Sequence, residues 1–192
     1  MAQEGAQVIE SVVATEAYIT TGTVGALAVS TGMTLAGTYQ RTSQTYRFSA
    51  MTGRAGATAT VGYVNTGVDT DLVTLAQNAT ADTWVIPLTG LHEGDTLQSI
   101  GISGQIESGG NAVTVDYELH KTTAVATGCT SVKIQSGTQI AKSADYLMAD
   151  STTISVPPTV TAGESYFMLI TCTTNAACDV ELQYVTLTLT QS

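Results

Sequence analysis

The chain has 192 residues, with 16 acidic side chains against six basic ones and a formal net charge of −10. Nucleic-acid phosphates require Lys and Arg, so this balance excludes a nucleic-acid-binding surface. Charged residues make up only 11% of the chain, well under the roughly 25% of ordinary soluble domains. Thr, Ser, Ala and Gly take their place, and because Thr is β-branched this composition favours β structure.

The sequence shows no targeting or membrane signal. No apolar run approaches the roughly 18 residues of a membrane span, and no cationic segment followed by an apolar core begins the chain. We therefore expect a protein made in the cytosol, with no membrane partner.

The N-terminal part, residues 1–80, has the weakest strand signals. Residues 22–38 are small and rich in Gly and Thr, and such a segment buries too little apolar surface to hold itself folded. We predict that residues 1–80 form an anchoring region, an arm plus a small β domain, that docks on another subunit. Within it, Thr45–Ala50 and residues 57–64 alternate around the turn Gly53–Gly56, which predicts a hairpin.

Strand signals become stronger after residue 81. The run Trp84–Leu88 places its apolar residues on one face and Pro87 on the other, which predicts an edge or first strand. The Gly-Gly turn Glu107–Asn111 predicts a hairpin leading into the alternating strand 113–119. Two weaker strands are predicted near Ser131–Ile134 and Thr152–Val156.

The two longest strand-like runs, residues 165–174 and 178–190, end the chain and predict a central hairpin. Each run carries apolar residues at period two and so has a side to bury. After Tyr184 the apolar phase slips by one residue. In a paired strand, such a slip indicates a β-bulge or a transfer from one sheet to another.

These patterns together predict an all-β protein, an antiparallel β-sandwich or jelly roll over residues 81–192, carried by the Gly/Thr-rich N-terminal region 1–80. The predicted core lies on the inward faces of the longest strands. Its members are Trp84, Ile86, Val115, Tyr117, Met168, Ile170, Leu182 and Leu187.

The best candidate for a metal site is the polar face of one strand, where Asp116, Glu118 and His120 alternate with apolar residues. Neighbours on such a face lie roughly 7 Å apart, so three ligands are conceivable there. The more frequent explanation of this pattern is the wet face of a half-buried strand. His92-Glu93 and Asp95 share a turn, which by itself indicates a solvated loop.

The remaining candidates are isolated. Ser103 lacks the spacing of a nucleophile elbow, and Cys129 has no base nearby in sequence. Trp84 is in phase with core residues, which favours burial over a role as a sugar platform. Asp69 and Asp71 lack the distal Glu of a calcium loop. We therefore predict no catalytic residue, no cofactor-binding residue and no metal ligand.

The three cysteines show no Cys-x-x-Cys spacing, which argues against zinc. Cys172 and Cys178 flank the last predicted turn and could face each other. Two buried thiols in a reducing compartment are the alternative, and the sequence favours that alternative without deciding it.

Residues 83–190 resemble β-sandwich modules found in structural proteins of tailed bacteriophages. That resemblance implies a capsid decoration protein, head fibre or tail-associated protein without enzymatic activity. The motifs that carry it are Trp84-Val-Ile-Pro-Leu88, Leu91 with Gly94-Asp95, the Gly109-Gly110 turn, Pro157-Pro158-Thr-Val160 and Gly163 before Tyr166.

Three functions remain open at this point. The first is a virion structural protein, made in the host cytoplasm, whose partners are the major capsid protein or another virion protein and copies of itself as a dimer or trimer. The second is a carbohydrate- or receptor-binding module. The third, an enzyme, would need a polar cleft joining His92 or His120 to several carboxylates, and we expect no such activity.

Overall fold

The structure, a computed structural model, describes residues 43–56, 61–63, 73–75, 81–126, 128–174 and 178–191. All of them belong to one compact unit, Gln40–Ser192. The predictions for residues 1–40 and for Asp69 and Asp71 lie outside the described residues.

Most of the described residues lie in β-strands, and a short 3-10 turn lies at Ala50–Thr52. The strands are β1 (Ser43–Ser49), β2 (Arg54–Ala55), β3 (Val61–Tyr63), β4 (Val73–Leu75), β5 (Asp82–Leu88), β6 (Thr96–Glu107), β7 (Val113–Val125), β8 (Gly128–Ser136), β9 (Ile140–Lys142), β10 (Tyr146–Thr153), β11 (Glu164–Thr174) and β12 (Asp179–Thr190).

The strands form two antiparallel sheets. Sheet A has the order β10-β6-β12-β4-β3, with β1 also paired to β12. Sheet B has the order β2-β5-β11-β7-β8, with β9 also paired to β7. Buried side chains of both sheets belong to one hydrophobic core, so the predicted all-β sandwich is confirmed.

All eight predicted core residues are buried, and none is more than 1% exposed. Trp84 is therefore a core residue, and its indole Nε1 donates a hydrogen bond to the carbonyl oxygen of Ala50 at 2.9 Å. This bond satisfies the one polar atom that a buried Trp brings into a core. The strand-face assignment made from periodicity is confirmed at these positions.

The predicted hairpins are wrong. β11 lies in sheet B and β12 in sheet A, so the last connection crosses between the sheets, and the turn after β6 crosses in the same way to β7. In the N-terminal part, β1 pairs with β12 while β3 pairs with β4. Alternation records which face of a strand is buried but not which sheet the strand joins, so a turn between sheets resembles a hairpin in sequence.

The weaker strands are shifted or were missed. The strand predicted near Thr152–Val156 is β10, which ends at Thr153, and the strand near Ser131–Ile134 extends over Gly128–Ser136. The short strand β9 carried no sequence signal. Three residues are too few to show a period.

The predicted irregularity in β12 is confirmed as a β-bulge. Leu182 pairs with Gly104 and Tyr184 pairs with Ser103, so Gln183 is the extra residue. On the other side of β12 the partner changes at the same place, from β4 opposite Val180–Leu182 to β1 opposite Tyr184–Thr190. A second register shift lies in β6, where Ser99 pairs with Thr188 and Leu97 pairs with Leu189, so Gln98 has no partner on β12.

The sandwich includes strands on both sides of the predicted domain boundary at residue 80. β1 and β4 pair with β12, and β2 pairs with β5. The sandwich therefore extends toward the N-terminus at least as far as Ser43.

Replacing Leu182 by Ala should lower the free energy of unfolding by about 2–5 kcal/mol, because it removes a 1% exposed core side chain and leaves a cavity. Val156→Ala is the control, since Val156 is 79% exposed, and it should change that energy by less than about 0.5 kcal/mol. Urea unfolding of both variants measures the difference, and equal effects would contradict the assigned strand faces.

Candidate functional site

The polar face of β7 is held in place by its own neighbours. His120 Nε2 lies 2.9 Å from Glu118 Oε2, and Glu118 Oε1 accepts hydrogen bonds from Lys133 Nζ at 3.0 Å and Ser136 Oγ at 3.2 Å. Burial opposes ionisation of Glu118, but the bonds from His120, Lys133 and Ser136 outweigh it and lower the pKa. Both carboxylate oxygens are therefore used within the sheet.

The two other members of this face are occupied as well. The His120 ring stacks on Phe167 with 5.1 Å between centroids and 17° between planes, and Asp116 Oδ1 accepts a hydrogen bond from Gln139 Nε2 at 2.9 Å. Among the described residues, no three His, Cys, Asp or Glu side chains are placed to hold a metal ion. The side chains of this face thus contact neighbouring side chains in or next to sheet B.

The turn with His92 and Asp95 has a structural role. Asp95 is 2% exposed, and its Oδ2 accepts a hydrogen bond from the backbone N–H of His92 at 2.8 Å. Gly94 N–H donates to the carbonyl oxygen of Val160 at 2.9 Å, and Val160 N–H donates to the backbone carbonyl oxygen of Asp95 at 2.8 Å. The carboxylate thus closes the loop, and the two backbone bonds tie the loop to the segment before β11.

The candidate nucleophiles lie in unsuitable places. Ser103 is in the middle of β6, and its hydroxyl donates to Gln183 Oε1 at 3.4 Å. Cys129 is exposed near the start of β8. Cys172 and Cys178 are buried free thiols, and burial raises the pKa of the Cys172 thiol above its ordinary value, which disfavours the reactive thiolate.

The described residues form an open groove of about 360 Å³ on the outer face of sheet A, at the β-bulge of β12. It is lined by Arg47 and Ser49 from β1 and by Gln183 and Tyr184 from β12. The Arg47 guanidinium carbon lies 4.9 Å from the centre of the Tyr184 ring, within range of a cation–π contact. We call these four residues the bulge groove.

Most polar atoms of the bulge groove are free to bind something else. No described residue forms an ion pair with Arg47 or accepts a hydrogen bond from its guanidinium. The Ser49 hydroxyl accepts a bond from Met51 N–H at 3.2 Å, so its own hydrogen remains available. Gln183 accepts from Ser103 through its carbonyl oxygen, which leaves the amide N–H groups facing the groove without a described acceptor.

Sequence reasoning missed the bulge groove. Arg47 carries no local sequence signal, because its partner Tyr184 is far away in the chain. The signal that pointed to the place was the phase slip after Tyr184, since bulges often occur next to functional sites.

A second surface feature is the free edge of β10. Tyr146–Thr153 pairs with β6 through eight consecutive residues without a register shift, and no described strand pairs with its other side. Leu147 on this strand is 74% exposed. The edge is long, regular and partly apolar, which is the kind of edge that accepts another strand.

The described part of the chain contains no helix with the length and apolar character that crossing a bilayer requires.

No family model and no curated protein matches this chain. Among solved structures, it is similar to the CBM22-2 xylan-binding domain of Paenibacillus barcinonensis Xyn10C, with 10% identity, a TM-score of 0.43 and coverage of 77% of this chain and 99% of that one. It is also similar to a chain of infectious bursal disease virus Gx strain, with 14% identity, a TM-score of 0.34 and coverage of 86% of this chain.

A chain of the Gt strain of the same virus gives 13% identity, a TM-score of 0.32 and coverage of 88% of this chain. This protein spans 36% and 38% of the length of the two viral chains. At such identities and TM-scores the likenesses carry no argument about function.

The partly buried carboxylate of Glu164 sets a pH dependence for the fold. The side chain of Glu164 is 9% exposed, and its Oε1 lies 2.6 Å from Lys121 Nζ. Its Oε2 accepts bonds from Tyr166 Oη at 2.8 Å and Thr161 N–H at 3.1 Å. The hydrogen bond from Lys121 lowers the pKa of Glu164 most, and burial opposes it. The bonds from Tyr166 and Thr161 lower the pKa further, to about 2.

Glu164→Gln should therefore destabilise the protein at pH 7. Because the folded pKa lies below the ordinary value of 4.5, the carboxylate stabilises the fold above pH 4.5, and this contribution disappears as the pH falls from 4.5 toward 2. The shift sets an upper bound of about 3 kcal/mol at pH 7. Urea unfolding of wild type and variant from pH 7 to pH 2 measures it.

Glu107→Gln, at an exposed position on β6, is the control and should change the unfolding energy by less than about 0.5 kcal/mol. If the difference in unfolding free energy between wild type and Glu164→Gln stayed constant from pH 7 to pH 2, the role assigned to Lys121 and Tyr166 would be contradicted.

Proposed function

We propose that this protein is a non-enzymatic structural subunit of a virus particle, which decorates or stabilises a capsid or is associated with the tail of a bacteriophage. The N-terminal region attaches it to the major capsid protein or another virion protein, and copies of the chain associate along β10. The resemblance of residues 83–190 to phage β-sandwich modules supports the viral part of this proposal. The observation that carries the assembly part is the free edge of β10.

The other outer strands of the two sheets differ from β10. Among the described strands, β1 pairs with β12 on one side only, through seven residues without a shift, but it carries Arg47. β9 has three residues. β3 has three residues and β2 has two, and very short edges offer little to pair with. β8 carries Lys133 and a register shift opposite Leu119 and His120. β10 has no Lys, Arg or Pro and no shift, so it is suited to strand addition by another subunit.

The chemistry of the described residues agrees with a structural role. The polar groups predicted as candidate sites, Asp95, Glu118 and His120, are tied into the loop or sheet that contains them. Such bonds fix a surface rather than prepare a reaction.

Leu147→Lys should weaken self-association at least tenfold, because it puts a charge on the edge that would be buried between two copies. Val132→Lys is the matched control, since Val132 is 54% exposed on β8, an edge that already carries a lysine. Sedimentation equilibrium across a concentration series compares both with wild type. A wild type that is monomeric at every concentration, or a Leu147→Lys variant that associates like wild type, would contradict the role of β10.

Deletion of residues 1–40 should leave the sandwich folded, because every described strand begins at or after Ser43. The truncated protein should no longer join the particle, although its thermal unfolding stays within a few degrees of wild type. Co-expression with the other particle proteins, followed by quantitative mass spectrometry of purified particles, measures incorporation. Incorporation of the truncated chain at the wild-type copy number would rule out N-terminal attachment.

A carbohydrate- or receptor-binding role is the second candidate, and the observation that favours it is the bulge groove.

A further inference from the structure

We propose that the bulge groove binds a carboxylated sugar, a hexuronate or sialate residue of a glycan, with Arg47 pairing with the carboxylate. This proposal does not depend on assembly along β10, because the two features lie on different strands and can fail separately.

The first argument is the state of Arg47. Lys121 and Lys133 pair with Glu164 and Glu118. The three other basic side chains of the described residues, Arg47, Arg54 and Lys142, have no described carboxylate partner. Arg47 differs from Arg54 because it lines a groove and its guanidinium lies over the Tyr184 ring. An arginine held in this way keeps its planar fork free for a bidentate bond to a carboxylate.

The second argument is the polarity of the other lining groups. The Ser49 hydroxyl and the Gln183 amide both present donor hydrogens, and both groups can also accept a bond from a sugar hydroxyl. Tyr184 adds an aromatic ring, of the kind that packs against the apolar side of a ligand. The Arg47 guanidinium suits a carboxylate, and the neutral groups of Ser49 and Gln183 suit hydroxyl groups. Together they fit a sugar ring that carries one carboxylate.

The third argument is how the fold builds the groove. Gln183 is the bulge residue, and it lies where β12 leaves its pairing with β4 and begins its pairing with β1. Gln183 is exposed and the next residue, Tyr184, is partly exposed, so two successive side chains lie outside the core where a regular strand would bury the second. A volume of about 360 Å³ falls within the range of small-molecule sites.

The test is a titration of the full-length, isotope-labelled protein with glucuronate and with N-acetylneuraminate, followed by NMR. We expect saturable shifts at Arg47, Gln183 and Tyr184. Glucose, the neutral sugar, should bind at least tenfold more weakly than glucuronate. Acetate, the carboxylate alone, should also bind at least tenfold more weakly, because it makes no contacts with Ser49 and Gln183.

Arg47→Gln should weaken glucuronate binding at least tenfold, and Arg47→Lys, which keeps the charge but not the fork, should fall between that variant and wild type. Arg54→Gln is the matched control, since it makes the same change in charge at an exposed position on sheet B and should alter binding less than twofold. Thermal unfolding of each variant within a few degrees of wild type shows that the sandwich is intact.

Three results would overturn the proposal. The first is that neither acidic sugar gives saturable shifts. The second is that wild type and Arg47→Gln bind glucuronate with equal affinity, and the third is that wild type binds glucuronate and glucose with equal affinity. Equal affinity for acetate and glucuronate would overturn its sugar part by reducing the site to one for simple anions.

Discussion

The structure depends on one inserted residue, Gln183, in β12, which pairs with three other described strands. β12 pairs with β6 along its length, with β4 before the bulge and with β1 after it. Without the insertion, the apolar residues Val185, Leu187 and Leu189 would face solvent, because side chains alternate strictly along a strand. Gly104 permits the bulge, since a Cβ atom there would overlap the carbonyl oxygen of Glu181. The bulge therefore lets β12 keep one buried face while its second neighbour changes.

The two surface features have different origins in this architecture. The bulge groove exists because β4 and β1 meet at the bulge, which places side chains from β1 and β12 around the extra residue. The free edge of β10 exists because the order of sheet A ends there. The outer face of β7 was the best candidate for a metal site in the sequence. Its side chains are instead engaged in hydrogen bonds and ring stacking with their neighbours. Interactions with other molecules are thus expected at breaks and ends of pairing rather than at the cluster with the most reactive side chains.

Much of the fold was predictable because burial leaves a period of two in the sequence, and all eight predicted core residues are buried. The bulge at Gln183 was predictable for the same reason, because the period breaks after Tyr184. The pairing of strands was not, because a turn between sheets and a hairpin bury the same alternate residues, and β1 reaches β12 across most of the chain. The groove was not predictable for the same reason. Arg47 and Tyr184 are far apart in the sequence and come together only because β1 pairs with β12.

Hydrogen exchange of wild type, a variant lacking Gln183 and the variant Gln183→Ala tests the central role of the bulge most directly. Deletion removes the extra residue and should force the part of β12 after it out of phase with the core. The amides of β1, Ser43–Ser49, should then lose their protection, whereas Gln183→Ala, which keeps the backbone length, should leave it close to wild type. Equal protection of β1 in the deletion variant and in wild type would contradict the account.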